Sequence, residues 1–485
     1  MATAFDLEEF RVGYFDDERI DRRSALLSAS MYEQSSVALR RLGGGSRAQE
    51  VGFNRLVHNE KFRFEELVRF HLAKTENLAS SSNHILLMHD GSELCFGQVK
   101  TSQRRSLGPI NNDDGVGFLL HPVMAIDAES KACLGLACID IWTRPVKPAL
   151  MPNERRNRRR ELPIEEKESF HWISAALEAR ANIPTSTKVT LIGDRESDIY
   201  EYFDRVADDS TWFISRSCYD RCLQDREQKL FATLSGHSAC GSYGISLPAI
   251  SGKRARRDTT IEVKYLTVRL PKPPKAIYKQ DPAPYVDLFV VEAKEVDHEG
   301  NKHIPASERL HWRLLTNHEI NDFAKACWII ESYKSRWLIE QLFRTLKSAG
   351  LDMESCQIED GDTLKKMAVL ALVSSIRIMQ LTLARDGDTG RPAIDVFGQN
   401  ERDFLGVLNQ SLQGQTEKQK NPFPEDSLGW ASWVIARLGG WKGYKSERPP
   451  GPITMRNGLD RFGSLKAGWD LANTVKEKPS LSPRT

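Results

Sequence analysis

Over the first 70 residues apolar positions recur at helical spacing, interrupted at Gly43-Gly44-Gly45. Ser46 then reads as an N-cap, with Gln49 three residues on to complete a capping box. From residue 84 the period changes. His84 to Phe96 is apolar and strand-like, and Gly115 to Asp127 and Lys131 to Trp142 are two further strand candidates. The Asp127-Ala128-Glu129-Ser130 link between those two reads as a hairpin turn. Pro163 opens a predicted helix that runs to about Arg180, and Lys188 to Gly193 is a buried strand leading straight into Asp194. Ile199 to Val206 reads as helix and Thr211 to Ser215 as strand. Gly244 to Pro248, Thr260 to Leu270 and Tyr285 to Val296 alternate or are β-branched, with proline-rich joints between 271 and 284. Helices resume near Ile320, and a long apolar helix is predicted over 364 to 385. Residues 387 to 421 read as polar and loop-rich. The tail carries Trp430, Trp433, Trp441 and Trp469 and a rigid Arg-Pro-Pro-Gly-Pro turn at 448 to 452.

Three strands in a meander, then helix, strand, helix, strand, is the order of a ribonuclease-H-like α/β core. The pattern therefore predicts such a core over 71–365, interrupted by a β-rich insertion at about 225–318. An all-α domain over 1–70 and a mainly helical region over 366–485 would flank it. Arg19, Arg22, Arg23, Arg40, Arg41 and Arg47 scatter basic charge over the first module. That suits a small helical DNA-binding domain, and equally an ordinary helical cap.

The densest chemistry lies in residues 331 to 350. At about 100° per residue, Tyr333, Arg336, Glu340 and Lys347 fall at about 0°, −60°, −20° and −40°. Trp337 and Arg344 join the same stripe at about 40° and 20°. Leu338, Ile339, Leu342, Phe343 and Leu346 face the other way. A row of donors suits a phosphate backbone, and a carboxylate among them suits a metal ion. A solvated helix face has the same composition.

Two further carboxylates bear on that choice. In a ribonuclease-H-like core the first and fourth strands are neighbours. Asp90 sits within the predicted first strand and Asp194 ends the fourth. With Glu340 they form a set of oxygen ligands suited to Mg²⁺, which keeps several waters and takes few carboxylates. Alone, Asp194 reads equally as a helix cap and Asp90-Gly91-Ser92 as a hairpin turn. His89 points to the opposite face of the strand from Asp90 and reads as core or surface.

Composition narrows the classes. The 485 residues are 40% hydrophobic and 28% charged, with a net charge of +2. Nucleic-acid binding then depends on local patches, not bulk charge. One patch is Arg155, Arg156, Arg158, Arg159 and Arg160; another is Lys253, Arg254, Arg256 and Arg257. Either is also compatible with an exposed turn. Eight cysteines make no disulfide framework, and Cys218 with Cys222 lacks a second pair at zinc spacing. The N-terminus has no signal-peptide core, and Met367 to Leu383 reads as a core helix, not a membrane span. A cytoplasmic protein with no membrane partner and no nucleotide cofactor is expected.

Taken together, Tyr333, Arg336, Glu340 and Lys347 stand as Y-x2-R-x3-E-x6-K. Asp194-Arg195-Glu196-Ser197-Asp198 stands downstream of Asp90 in the order of a second-aspartate motif. The chain thus resembles the bacterial cut-and-paste insertion-sequence transposases of the DDE class, along nearly its whole length. Residues 45–57 (GSRAQEVGFNRLV) and 435–452 (IARLGGWKGYKSERPPGP) add to the resemblance. It implies that Asp90, Asp194 and Glu340 bind two Mg²⁺ ions, with Mn²⁺ able to substitute. It implies nicking at each transposon end, attack of the 3′-hydroxyl to form a hairpin, reopening, and joining to target DNA. Trp312 would stack on a base flipped from the hairpin. Tyr333, Arg336 and Lys347 would grip nearby phosphates, and Arg195 and Arg216 match basic positions beside the active site. Trp337, Arg344, Lys253, Arg254, Arg47 and Arg23 are the further expected DNA contacts. The partners implied are double-stranded DNA, as terminal inverted repeats and target, and a second copy of the chain. Glu33 and Gln34 depart from the basic and aromatic contacts of a well-studied member, and only sixteen residues follow Trp469. End recognition and pairing through the tail are therefore expected to differ. Two other readings are a non-catalytic DNA-binding derivative and a nuclease that cuts without joining. The three retained carboxylates oppose the first. Trp312 and the β-rich insertion oppose the second.

Overall fold

The computed structural model describes residues 9–98, 105–111, 114–146, 153, 157, 160–224, 226–247, 256–274, 276–296, 304–305, 308–347, 350–444 and 446–477. The chain is mixed α/β, with a large mixed sheet and several helices. The described strands are β1 His84–His89, β2 Ser92–Gln98, β3 Gly108–Ile110, β4 Gly115–Asp127, β5 Cys133–Trp142, β6 Lys188–Gly193, β7 Thr211–Arg216, β8 Gly241–Leu247, β9 Arg257–Pro271, β10 Tyr285–Glu295 and β11 His311–Thr316. Contacts divide the chain into two compact units. One comprises residues 1–82, 91–146 and 340–485, the other residues 83–90 and 147–339.

The second unit is built on strands in the order β1-β6-β7-β11-β10-β9-β8. β1, β6 and β7 run parallel. β11 joins β7 antiparallel, and the rest of the order is antiparallel. Burial follows from pairing. β6 is buried at every residue after Lys188, as a strand covered on both faces must be, whereas β9 alternates between half-buried and buried positions. The β-rich run expected before residue 318 forms strands β8 to β11, and through β11 it extends the same sheet. The Phe323–Lys334 helix packs on β9 and β10. His89 is fully buried, its ring 4.8 Å from Trp172 and its Nε2 3.0 Å from Tyr202 Oη. Burial pushes its pKa down to about 3, so it is a neutral core residue.

In the first unit β4 pairs antiparallel with β2, β3 and β5. The Phe64–Ala79 and Gly361–Ala384 helices pack on β5. The second of these is long and apolar enough to cross a membrane, but 89% of its most apolar window is buried; it forms the centre of this unit. The Glu18–Gln34 helix packs along the terminal Pro452–Glu477 helix. The first and last stretches, expected as separate domains, thus share one unit. Ser46 caps the Arg47–Val57 helix through the Gln49 N–H at 3.4 Å, after Gly44 and Gly45 take φ of 57° and 82°.

Several boundaries differ from expectation. The strand expected over 84–96 breaks at Asp90-Gly91, residues poorly suited to a strand interior, so Asp90 follows β1 instead of lying within it. Pro163 opens only a 3₁₀ turn, Ile164–Glu166, and the helix begins at Phe170. The 387–421 stretch contains a helix, Gln399–Leu412, because Phe404, Leu405 and Leu408 supply a buried stripe.

Candidate active site

The parallel register of β1 and β6 pairs His84 with Lys188 and continues to Met88 with Ile192. Asp90 and Asp194 each lie two residues beyond that last pair. Both carboxylates therefore emerge at the C-terminal ends of neighbouring strands, which are about 4.8 Å apart in a sheet. Each is already engaged. Asp90 Oδ2 accepts from Arg336 Nη1 at 2.9 Å, with both side chains largely buried. Asp194 Oδ1 accepts the Glu196 N–H at 2.8 Å and so caps the Arg195–Ser197 turn. Asp194 is thus a cap as well as a strand-end carboxylate.

The single helix expected over 331–350 is two helices, Phe323–Lys334 and Trp337–Lys347. Between them the ladder tightens. Arg336, Leu338 and Ile339 donate to Tyr333, Ser335 and Arg336 carbonyls at 3.0, 3.0 and 3.1 Å, three residues back instead of four. Ser335 Oγ also bonds the Glu331 carbonyl at 3.3 Å, a back-bond that bends helices. The continuous polar stripe is thereby broken. Tyr333 is 3% exposed, whereas Trp337 is 46% exposed.

Tyr333 is the hub of the site in this unit. The Trp312 ring, on β11, meets its ring edge-on at 5.2 Å, and the Arg336 guanidinium lies 6.0 Å from its centroid. Trp312 is half-buried. The Tyr333 hydroxyl is buried and has no hydrogen-bond partner among the described residues. Burial raises its pKa, Arg336 and Arg216 oppose the rise, and the Asp194 charge adds to it. Arg216, the last residue of β7, comes near the hydroxyl without meeting hydrogen-bond geometry and donates to the His311 carbonyl at 3.4 Å. Asp90, Asp194, Arg336, Tyr333, Arg216 and Trp312 thus share the second unit, linked by register, ion pair, charge and ring contact.

The other expected residues have different settings. Arg195 is exposed. Glu340 is half-buried on the Trp337–Lys347 helix, at the first residue of its segment of the first unit. Lys347 Nζ bonds the Glu93 carbonyl and lies 3.8 Å from Glu354, so its ammonium is held by protein. Arg344 is exposed. Arg47 pairs with Glu50 at 2.9 Å, and exposed Arg23 lies over Gly52, where an added Cβ would come 3.0 Å from its Nη1. Lys253 and Arg254 lie outside the described residues, as do Arg155, Arg156, Arg158 and Arg159. Arg257, from the same basic run, is committed to Glu295 at 2.7 Å.

Two groups escape sequence reasoning. Asp198 is buried and gathers the following loop, accepting Cys218 N–H at 2.8 Å, Tyr219 N–H at 3.1 Å and Arg221 Nε at 2.8 Å. Glu292, buried on β10, accepts from His311 Nε2 at 2.7 Å and Arg313 Nε at 3.0 Å, on either side of Trp312. Burial would raise the Glu292 pKa, but the interactions with His311 and then Arg313 hold it low. A carboxylate at an inward position of an apolar strand was the available signal for Glu292.

As hard oxygen donors, Asp90 and Asp194 fit Mg²⁺, for which one or two carboxylates plus substrate phosphates suffice. Among the described residues no three His, Cys, Asp or Glu side chains form a metal-ready cluster. No known family model matches the chain.

Proposed function

We propose that this chain is a DDE-type DNA transposase with a ribonuclease-H-like catalytic core. One observation carries the reading: the β1–β6 register that brings Asp90 and Asp194 to one end of adjacent parallel strands, with Arg336 bound to Asp90. Asp90 and Asp194 are the proposed Mg²⁺ ligands in this unit, and the Y-x2-R-x3-E-x6-K resemblance adds Glu340. Bound ions would neutralise phosphate charge and lower the pKa of an attacking water or 3′-hydroxyl. The chain's own contribution is electrostatic and positional. A DNA phosphate arriving beside Tyr333 competes with Asp90 for Arg336, because guanidinium binds phosphate as readily as carboxylate. As Arg336 turns to phosphate it releases Asp90 for metal. Arg216 and the unpaired Tyr333 hydroxyl add donors to the same phosphate. Trp312, held edge-on to Tyr333 and anchored on both flanks by Glu292, offers a partly exposed ring on which an extruded base stacks. Double-stranded DNA ends are the substrate, a second copy of the chain pairs them, and the bacterial cytoplasm is the setting.

Purified protein with Mg²⁺ should cut DNA carrying its element's terminal inverted repeats and yield hairpin ends on denaturing gels. Glu340→Ala and Asp194→Ala should abolish hairpins; hairpins from either variant would sink the assignment. Trp312→Ala should reduce hairpin formation more than the first nick, and equal loss at both steps would assign Trp312 to packing alone.

A further inference from the structure

The first unit holds a second site, unconnected with the carboxylates above. A cleft of about 90 Å³ opens to solvent among the Glu18–Gln34, Phe64–Ala79 and Gly361–Ala384 helices and β5. At roughly 10–15 Å³ for each water-sized group, that is room for about six to nine of them, enough for a compact ligand. Two polar atoms of its lining residues are buried without a hydrogen-bond partner among the described residues: His71 Nε2 and Arg377 Nε. Each residue is 6% exposed. Proteins rarely leave such groups unpaired.

The Arg377 guanidinium is fixed. Its Nη2 donates to both Glu401 oxygens at 2.8 and 2.9 Å, and it lies 4.9 Å from the Tyr32 ring and 4.6 Å from the Phe397 ring. The charges in the cleft nearly cancel. Arg377 offsets Glu401, and Arg391 offsets Asp395 at 2.5 Å. Burial and a hydrogen bond to Glu401 push the Glu9 pKa up to about 8, which keeps it protonated at neutral pH. Lys74 remains as a further cation on the cleft wall, one helical turn from His71; desolvation and then Arg377 push its pKa down, and Glu9 opposes them. Apolar wall is supplied by Tyr32, Leu136 and Ile376.

We propose that this cleft binds a small organic monoanion, a carboxylate carried on an apolar or aromatic body. The carboxylate accepts from His71 Nε2–H, Arg377 Nε–H and the Lys74 ammonium, and the body lies against Tyr32 and Ile376. The inference is independent of the transposase reading, since it uses none of the same residues.

The test is calorimetric titration and thermal melting of the full chain with octanoate and benzoate, against octanol and benzyl alcohol as uncharged counterparts. At least one acid should bind one-to-one and raise the melting temperature. Its alcohol should bind about tenfold more weakly or worse. His71→Leu and Lys74→Met should each weaken acid binding by about tenfold. His71→Leu should melt without ligand no lower than the parent, because it removes an unpaired buried polar atom. Lys74→Met keeps the test decisive should His71→Leu misfold. Three results would each overturn the proposal: no binding of either acid at millimolar concentration, equal binding of acid and alcohol, or binding unchanged in Lys74→Met.

Discussion

Arg336 and Asp90 neutralise each other across 2.9 Å in a largely buried setting. A buried carboxylate bound to guanidinium is a poor metal ligand until the guanidinium leaves, so under the proposed function the pair would set an order in which phosphate precedes metal. Arg336→Ala should therefore bind Mn²⁺ more tightly than the parent in the absence of DNA, while losing cleavage; Mn²⁺ relaxation titrations measure this. Weaker binding in the variant would show that Arg336 does not compete for Asp90. Glu9 gives a prediction of opposite chemistry. Its carboxyl is raised from 4.5 to about 8 by burial, then by Glu401. The folded state thus holds a proton that the unfolded state has lost. Stability from this group is complete below about pH 4.5 and drains away as pH rises to about 8, at up to about 1.4 kcal/mol per pH unit. Glu33, raised to about 7 by burial and by Glu401, acts in the same direction. Glu9→Gln keeps the hydrogen-bonding shape without the proton. Its urea midpoint should fall less than the parent's between pH 5 and 8, and parallel profiles would refute the assignment.

At the level of elements, the candidate-site end of the second unit is organised by short polar connections. Asp198 draws two backbone N–H groups and Arg221 into the loop after β7. Asp198→Asn keeps the shape but strands the Arg221 charge, and should cost about 3 kcal/mol in a urea melt, the range for breaking one partner of a buried pair. A loss under about 1 kcal/mol would mean the loop is held by other contacts. This contact also marks what the sequence made legible. Strands β4, β6 and β7 and the β-rich run β8 to β10 were readable within a few residues, because apolar runs and alternation report burial directly. Asp194 was readable as a strand-end carboxylate because β6 is an uninterrupted apolar run, whereas Asp90 read as lying within a longer strand because the break at Gly91 leaves the apolar run around it intact. The break at Ser335 was not readable, since it depends on a side chain bonding Glu331 O, and helical spacing assumes four-residue bonds throughout. The burial of Tyr333 follows from that break and was hidden with it. Asp198 looked like motif polarity because its partners lie some twenty residues away in the chain.

If the proposed function holds, charge is the property the whole molecule would present to DNA, and a net charge of +2 argues for local rather than global attraction. The net charge of +2 supplies almost no long-range field. Many of the basic side chains considered above are also spoken for. Arg336 holds Asp90, Lys347 is bound at Glu93 and near Glu354, and Arg313 holds Glu292. Arg195 and Arg344 are exposed. End-DNA binding should nevertheless be steeply salt-dependent, because each phosphate neutralised releases about 0.9 counterions whatever the net charge. Fluorescence anisotropy of an end-repeat duplex across a salt series gives the slope of log Kd against log salt. Arg195→Ala and Arg344→Ala should each lower that slope by about 1 and weaken binding across all DNA sequences alike. A slope near zero in the parent would exclude a phosphate-gripping surface. A slope unchanged by both substitutions would assign that surface to other basic residues of the chain.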